Sequence, residues 1–115
     1  MSASPPTHTP KVAARAAAEL QARAGEAAAL LKVMANPDRL LLLCQLVPAP
    51  RTVAELGEAT GLQQPSLSQQ LAVLRAHQLV ATEREGKFIR YRVAQPAVLA
   101  LLTTLYQQFC EETSP

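Results

Sequence analysis

The sequence predicts a mainly helical fold carrying one β-hairpin, in the order helix, helix, helix, helix, strand, strand, helix. Three observations predict it. Alanine (21) and leucine (18) dominate a chain of 115 residues in which aromatics are only 3%, a composition suited to closely packed helices. Apolar residues recur at spacings of three and four until about residue 77, then alternate. Proline and glycine sit where elements should begin or end.

Residues 1–10 hold Pro5, Pro6 and Pro10 and no apolar period, and are expected to form a disordered tail. From Lys11 to about Met34, Ala17, Leu20, Ala24, Ala27, Leu31 and Met34 form one apolar stripe, predicting an amphipathic helix that Gly25 weakens and could kink. Asn36-Pro37 breaks it, and Pro37 suits the first turn of the next helix, 37–47. There Leu40, Leu41, Leu43, Leu46 and Val47 are expected to be mostly buried. Thr52-Val-Ala-Glu55 is a capping box, and that helix should run to Thr60 and stop at a left-handed Gly61. The next spans Gln64 or Pro65 to His77, with Leu67, Leu71 and Leu74 inward. Strands follow at Leu79–Arg84 and Phe88–Val93, joined at Glu85-Gly86-Lys87. Along the second strand Ile89, Tyr91 and Val93 point one way and Phe88, Arg90 and Arg92 the other. Pro96 opens a last helix to about Cys110 that is apolar on more than one side.

The length suits one domain over 11–112, without room for a large enclosed active site. Two cysteines do not make a disulfide-dense secreted scaffold, no signal-like segment opens the chain, and no apolar run is long enough for a bilayer. The expected localisation is cytoplasmic. No Cys-x-x-Cys, Ser-His-Asp set or Gly-rich phosphate loop is present, so no enzyme is expected.

Residues 52–77, two short helices around a tight glycine turn, have helix-turn-helix spacing, with the second helix as recognition element. Gln63, Gln64, Ser66, Ser68 and Gln69 cluster at its start, and the stretch 63–70 carries no charge. Glutamine can pair with adenine, and serine can bond base edges or phosphates. Each such residue singly could equally be ordinary surface cover. The hairpin region holds Arg75, Arg84, Lys87, Arg90 and Arg92 against Glu83 and Glu85, a local excess of +3 in a chain of net charge +2. Directly after a helix-turn-helix, Arg84, Lys87, Arg90 and Arg92 read as a wing laid along phosphates. Read alone, they would be a charged, protected strand edge. The architecture is therefore a winged helix-turn-helix, ααααββα. The first helix (about 11–35) and the last (96–110) carry more apolar surface than so small a domain can cover, so a homodimer is expected, with Leu20, Ala24, Ala27, Leu31, Leu101 and Leu105 at its interface. The alternative is that both helices cap the monomer's own core.

Leu31-Lys-Val-Met-Ala-Asn-Pro-Asp-Arg-Leu40, Val53-Ala-Glu-Leu56 and Gln64-Pro-Ser-Leu-Ser-Gln-Gln-Leu-Ala-Val-Leu-Arg75 resemble ArsR/SmtB-type winged-helix repressors over about residues 25–110. The resemblance implies a homodimer on double-stranded, palindromic operator DNA that an inducer releases. The family's Cys-x-Cys and last-helix metal ligands are missing, so neither metal nor cofactor is expected. One cysteine in the second helix and one ending the last is similar to the dithiol, sulfane-sulfur-sensing SqrR/BigR-like branch. By that resemblance Cys44 and Cys110 are the sensor thiols, bridged by a disulfide or polysulfide when a persulfide arrives, and sulfide-detoxification genes are then derepressed. From the residues alone, a cysteine such as Cys44 in an apolar helix is more often a small buried hydrophobe, and Glu111 and Glu112 would blunt the reactivity of Cys110. A metalloid or general oxidant acting on the same thiols, or a dimerisation module that binds no DNA, stay open.

Overall fold

In a computed structural model, the described residues are 10–110. They form six helices and three short strands: α1 Pro10–Ala22, α2 Ala24–Met34, α3 Pro37–Leu46, β1 Arg51–Thr52, α4 Val53–Thr60, α5 Ser66–Ala76, β2 Val80–Glu85, β3 Phe88–Val93 and α6 Pro96–Phe109. The chain divides, between Lys32 and Val33, into two compact units. The tail expected at residues 1–10 lies outside the described residues, except that Pro10 already opens α1.

In the first unit the single helix expected over 11–34 is two. The break is at Arg23 rather than Gly25. The Arg23 N–H is shared between the Glu19 and Leu20 carbonyls, at 3.2 and 3.1 Å, which tightens the turn there. Gly25, just beyond, lowers the helical propensity of that stretch. The Arg23 guanidinium then pairs with Glu26 at 2.7 Å. Leu20 and Leu31 are 64% and 51% exposed, Ala24 is exposed and Ala27 half-buried.

The second unit is built around α3. Asn36 caps it by accepting the Arg39 N–H at 3.0 Å, and Pro37 stands in its first turn. Leu42, Leu43 and Leu46 are buried, whereas Leu41 and Val47 are exposed. This corrects the burial expected from sequence. A run of leucines has no polar residue to mark its outward side, and only the neighbours of α3 decide which face is covered. Those neighbours are α4, α5 and β3. The capping box of α4 forms as expected: Thr52 Oγ accepts the Glu55 N–H (3.1 Å) and Glu55 Oε1 accepts the Thr52 N–H (2.8 Å). Gly61 ends α4 at φ 79°. At Gly57 an added Cβ would stand 3.1 Å from a Leu67 methyl, so a glycine lets α4 approach α5 closely.

Helix α5 buries Leu67, Leu71 and Leu74. It ends in a Schellman motif that no glycine announces: Leu79 N–H reaches the Leu74 carbonyl (2.9 Å), Gln78 N–H reaches the Arg75 carbonyl (3.0 Å), and Gln78 holds φ 65°. The expected hairpin is present, with Gly86 at φ 63° in its turn. It belongs to a three-stranded antiparallel sheet of order β1-β3-β2. The two-residue β1, too short to show a pattern in the sequence, pairs Arg51 with Tyr91 and Thr52 with Arg90. Helix α6 lies against β3 and buries Val98 and Leu102.

Two substitutions at helix ends should shift stability in opposite directions. Thr52→Ala removes the cap of α4 and should cost about 1 kcal/mol. Gln78→Gly relieves a left-handed backbone at a non-glycine residue and should add a few tenths to about 1 kcal/mol. Urea unfolding monitored by circular dichroism checks both.

Candidate nucleic-acid interface and thiol site

The residues expected to read DNA divide once their partners are known. Gln63, Ser68 and Gln69 are exposed, and Ser66 is half-buried. Gln64 is exposed, but its Oε1 accepts the Ser68 N–H at 3.2 Å, capping the start of α5. The next amides are taken up too: Leu67 N–H by the Gln63 carbonyl and Gln69 N–H by the Pro65 carbonyl. A helix start with these donors engaged is a weaker anion site than the sequence suggests. Gln70, the last of the uncharged run, accepts from Arg39 Nη1 at 2.9 Å.

The wing divides in the same way. Arg84 and Lys87 are exposed, and among the described residues neither has an ion-pair partner. Lys87 Nζ lies 5.8 Å from the centre of the Phe88 ring. Arg92 Nε pairs with Glu83 at 2.8 Å. Arg90 pairs twice, with Glu85 at 2.6 Å and with Glu55 at 3.3 Å. The acids subtracted when counting the local charge thus sit on two of the arginines. Strand register explains it: Glu83, Glu85, Arg90 and Arg92 share one face of an antiparallel pair in which Glu83 stands opposite Arg90. Glu55 was legible only as a helix cap, and its link to the wing could not be seen in the sequence.

Cys44 and Cys110 are both free and exposed. The exposure of Cys44 departs from the buried-hydrophobe alternative. Along α3 it stands between the buried Leu43 and Leu46. It borders an apolar hollow of about 310 Å³ lined also by Val47, Pro48, Leu102, Thr103 and Tyr106. Partial burial there raises the Cys44 thiol above its ordinary value, and the charge of Cys110 raises it further. Cys110 itself ends α6, whose Leu102, Thr103 and Tyr106 line the same hollow. Glu111 and Glu112 lie outside the described residues. Among the described residues no three His, Cys, Asp or Glu side chains gather as a metal site requires, and no helix is long and apolar enough to cross a membrane.

The model of the family described as bacterial regulatory proteins of the arsR family matches residues 36–82, which span α3 through the start of β2. The biofilm growth-associated repressor of Xylella fastidiosa is 43% identical over 94 residues, covering 82% of this chain and 82% of that protein. The chain belongs to the ArsR family. The crystal structure of the transcriptional repressor BigR from Xylella fastidiosa superposes with a TM-score of 0.77 at 42% identity, over 82% of this chain and 96% of that one. A homodimeric winged helix-turn-helix DNA-binding domain from Mycobacterium bovis matches with a TM-score of 0.60 at 29% identity, over 89% of this chain and 87% of that one. In this ArsR-family chain the helix-turn-helix is α4 and α5, and the wing is β2 and β3. It is a winged-helix transcriptional regulator, and the relatives named are regulators and not enzymes.

The raised thiol gives a direct expectation. Alkylation of Cys44 by iodoacetamide should accelerate with pH through a midpoint above that of a simple thiol. Cys110→Ser should lower that midpoint only in part, because burial, the larger cause, remains. Rates by mass spectrometry between pH 7 and 10.5 check this.

Proposed function

We propose that this chain is a homodimeric repressor of operator DNA whose inducer is a persulfide or polysulfide acting on Cys44 and Cys110. The observation that carries the reading is a pair of free, exposed cysteines, one of which borders an apolar hollow between α3 and α6, the helix that Cys110 ends. The thiolate of one cysteine takes the sulfane sulfur of a persulfide and releases the parent thiol. The other thiolate attacks the resulting Cys–S–SH at its inner sulfur. A disulfide forms and hydrosulfide leaves, so the two thiols are oxidised and the sulfane sulfur is reduced. Each further sulfane sulfur retained lengthens the bridge by one atom.

The bridge would tie α3 to the end of α6. From α3 the strain has a route to the recognition helix, because Arg39 holds both the Val33 carbonyl (2.6 Å) and Gln70 of α5 (2.9 Å). Dimerisation is supported by exposed apolar side chains in both units: Leu20 and Leu31 in the first, and Leu99, Leu105, Tyr106 and Phe109 on α6 in the second. The related domain from Mycobacterium bovis is homodimeric. Of the residues expected at the interface, Ala24 is exposed, Leu105 is 37% exposed, and Ala27 and Leu101 are half-buried. At the operator, Gln63, Ser66, Ser68 and Gln69 face the DNA, Gln64 orients the start of α5, and Arg84 and Lys87 meet the phosphates.

Cys44→Ser and Cys110→Ser should each bind operator as the reduced wild type does, yet keep that affinity after treatment with glutathione persulfide, which should release the wild type. Gel shift with intact mass reads both: two hydrogens lost, with one sulfur added per sulfane atom retained. Release by arsenite or peroxide, without release by persulfide, would replace the inducer assigned here.

A further inference from the structure

We propose that Arg90 is a positioning residue that fixes the wing to the first helix of the helix-turn-helix, and that it does not contact phosphate. The side chain spans three elements. Its Nε donates to Glu85 Oε1 at the end of β2 (2.6 Å), and its Nη1 donates to Glu55 Oε1 in the first turn of α4 (3.3 Å). The same Glu55 oxygen accepts the Thr52 N–H (2.8 Å). Thr52, in β1, is the strand partner of Arg90. Backbone pairing, helix cap and ion pair therefore close one loop through Thr52, Glu55 and Arg90, joining β3 to the start of α4.

The planar guanidinium can serve two carboxylates in fixed directions at once, which an ammonium on a flexible stem cannot. The Arg90 side chain is 31% exposed, whereas Arg84 and Lys87 are open to solvent and free of ion pairs among the described residues. A guanidinium whose positive charge is already met by two carboxylates attracts a phosphate only weakly. Its effect is on where the hairpin stands relative to α4, and hence on where Arg84 and Lys87 are presented.

The inference rests on the wing meeting operator DNA, and the experiment separates the two. Operator affinity is measured against salt concentration for the full-length reduced protein and its variants. Arg84→Ala and Lys87→Ala should each make the slope of log K against log salt less negative by about 0.9, the value of one phosphate contact. If neither does, the wing reading fails, whatever Arg90 shows. Arg90→Lys should weaken binding about three- to tenfold with the slope unchanged, although its charge is retained. Glu55→Gln should also weaken binding, and the double variant should be no weaker than Arg90→Lys alone. In the free protein, Arg90→Lys should speed amide exchange across 80–93 while the thermal midpoint hardly moves. The proposal is overturned if Arg90→Lys binds like wild type, if Arg90→Ala alone makes the slope less negative by about 0.9, or if the Glu55 and Arg90 effects are additive.

Discussion

Everything that can face DNA here depends on one closed apolar core. Leu42, Leu43, Leu56, Leu71, Leu74, Leu79 and Val98 are buried almost completely, and they come from α3, α4, α5, the residue before β2, and α6. At about 1.5–3 kcal/mol for each fully buried side chain, this core holds elements that could not stand alone. An isolated helix of 8 or 11 residues, the lengths of α4 and α5, is marginal in water. The recognition helix is positioned by the same leucines that make it fold, and of the polar residues at its start Gln63 and Gln69 are left exposed to solvent.

Around that core, polar contacts set angles more than they add stability. Arg51 Nε donates to the Gln45 carbonyl at 2.7 Å and ties β1 to the end of α3. Gln95 Nε2 donates to the Gln78 carbonyl at 2.9 Å and holds the start of α6 to the turn after α5. The wing arginines belong to the same set, their charge spent partly within the protein. Net charge is therefore a poor guide to this interface. What matters is which cations lack a carboxylate, and the strand register decides that.

The thiols show a related division between reactivity and access. A raised Cys44 is a less abundant thiolate at neutral pH, but each thiolate that forms is more nucleophilic. Beside Cys44 stands an apolar wall formed by Val47, Pro48, Leu102 and Tyr106. Helix α3 carries this group on one side and Arg39, with its hold on α5, on another. One helix thus carries both the exposed Cys44 and the arginine that reaches α5.

Much of the local structure was legible in the sequence alone. The capping box at Thr52 and Glu55, the left-handed Gly61, the inward leucines of α5 and the hairpin turn at Gly86 follow from local rules, because backbone capping and side-chain period act over a few residues. The motifs around Pro37 and Gln64–Arg75 were enough to place the family. Tertiary structure decided the rest: the break at Arg23, the left-handed Gln78, the strand at Arg51–Thr52, the outward side of a four-leucine run, and the commitment of Arg90 and Arg92 to Glu55, Glu85 and Glu83. Each of these depends on which distant residue lies opposite, a relation that spacing along the chain does not encode. The helical class, the turns and the candidate thiols belong to the sequence. The free cations of the wing, and the apolar hollow that Cys44 shares with α6, arise only when the chain closes on its core and brings remote residues together.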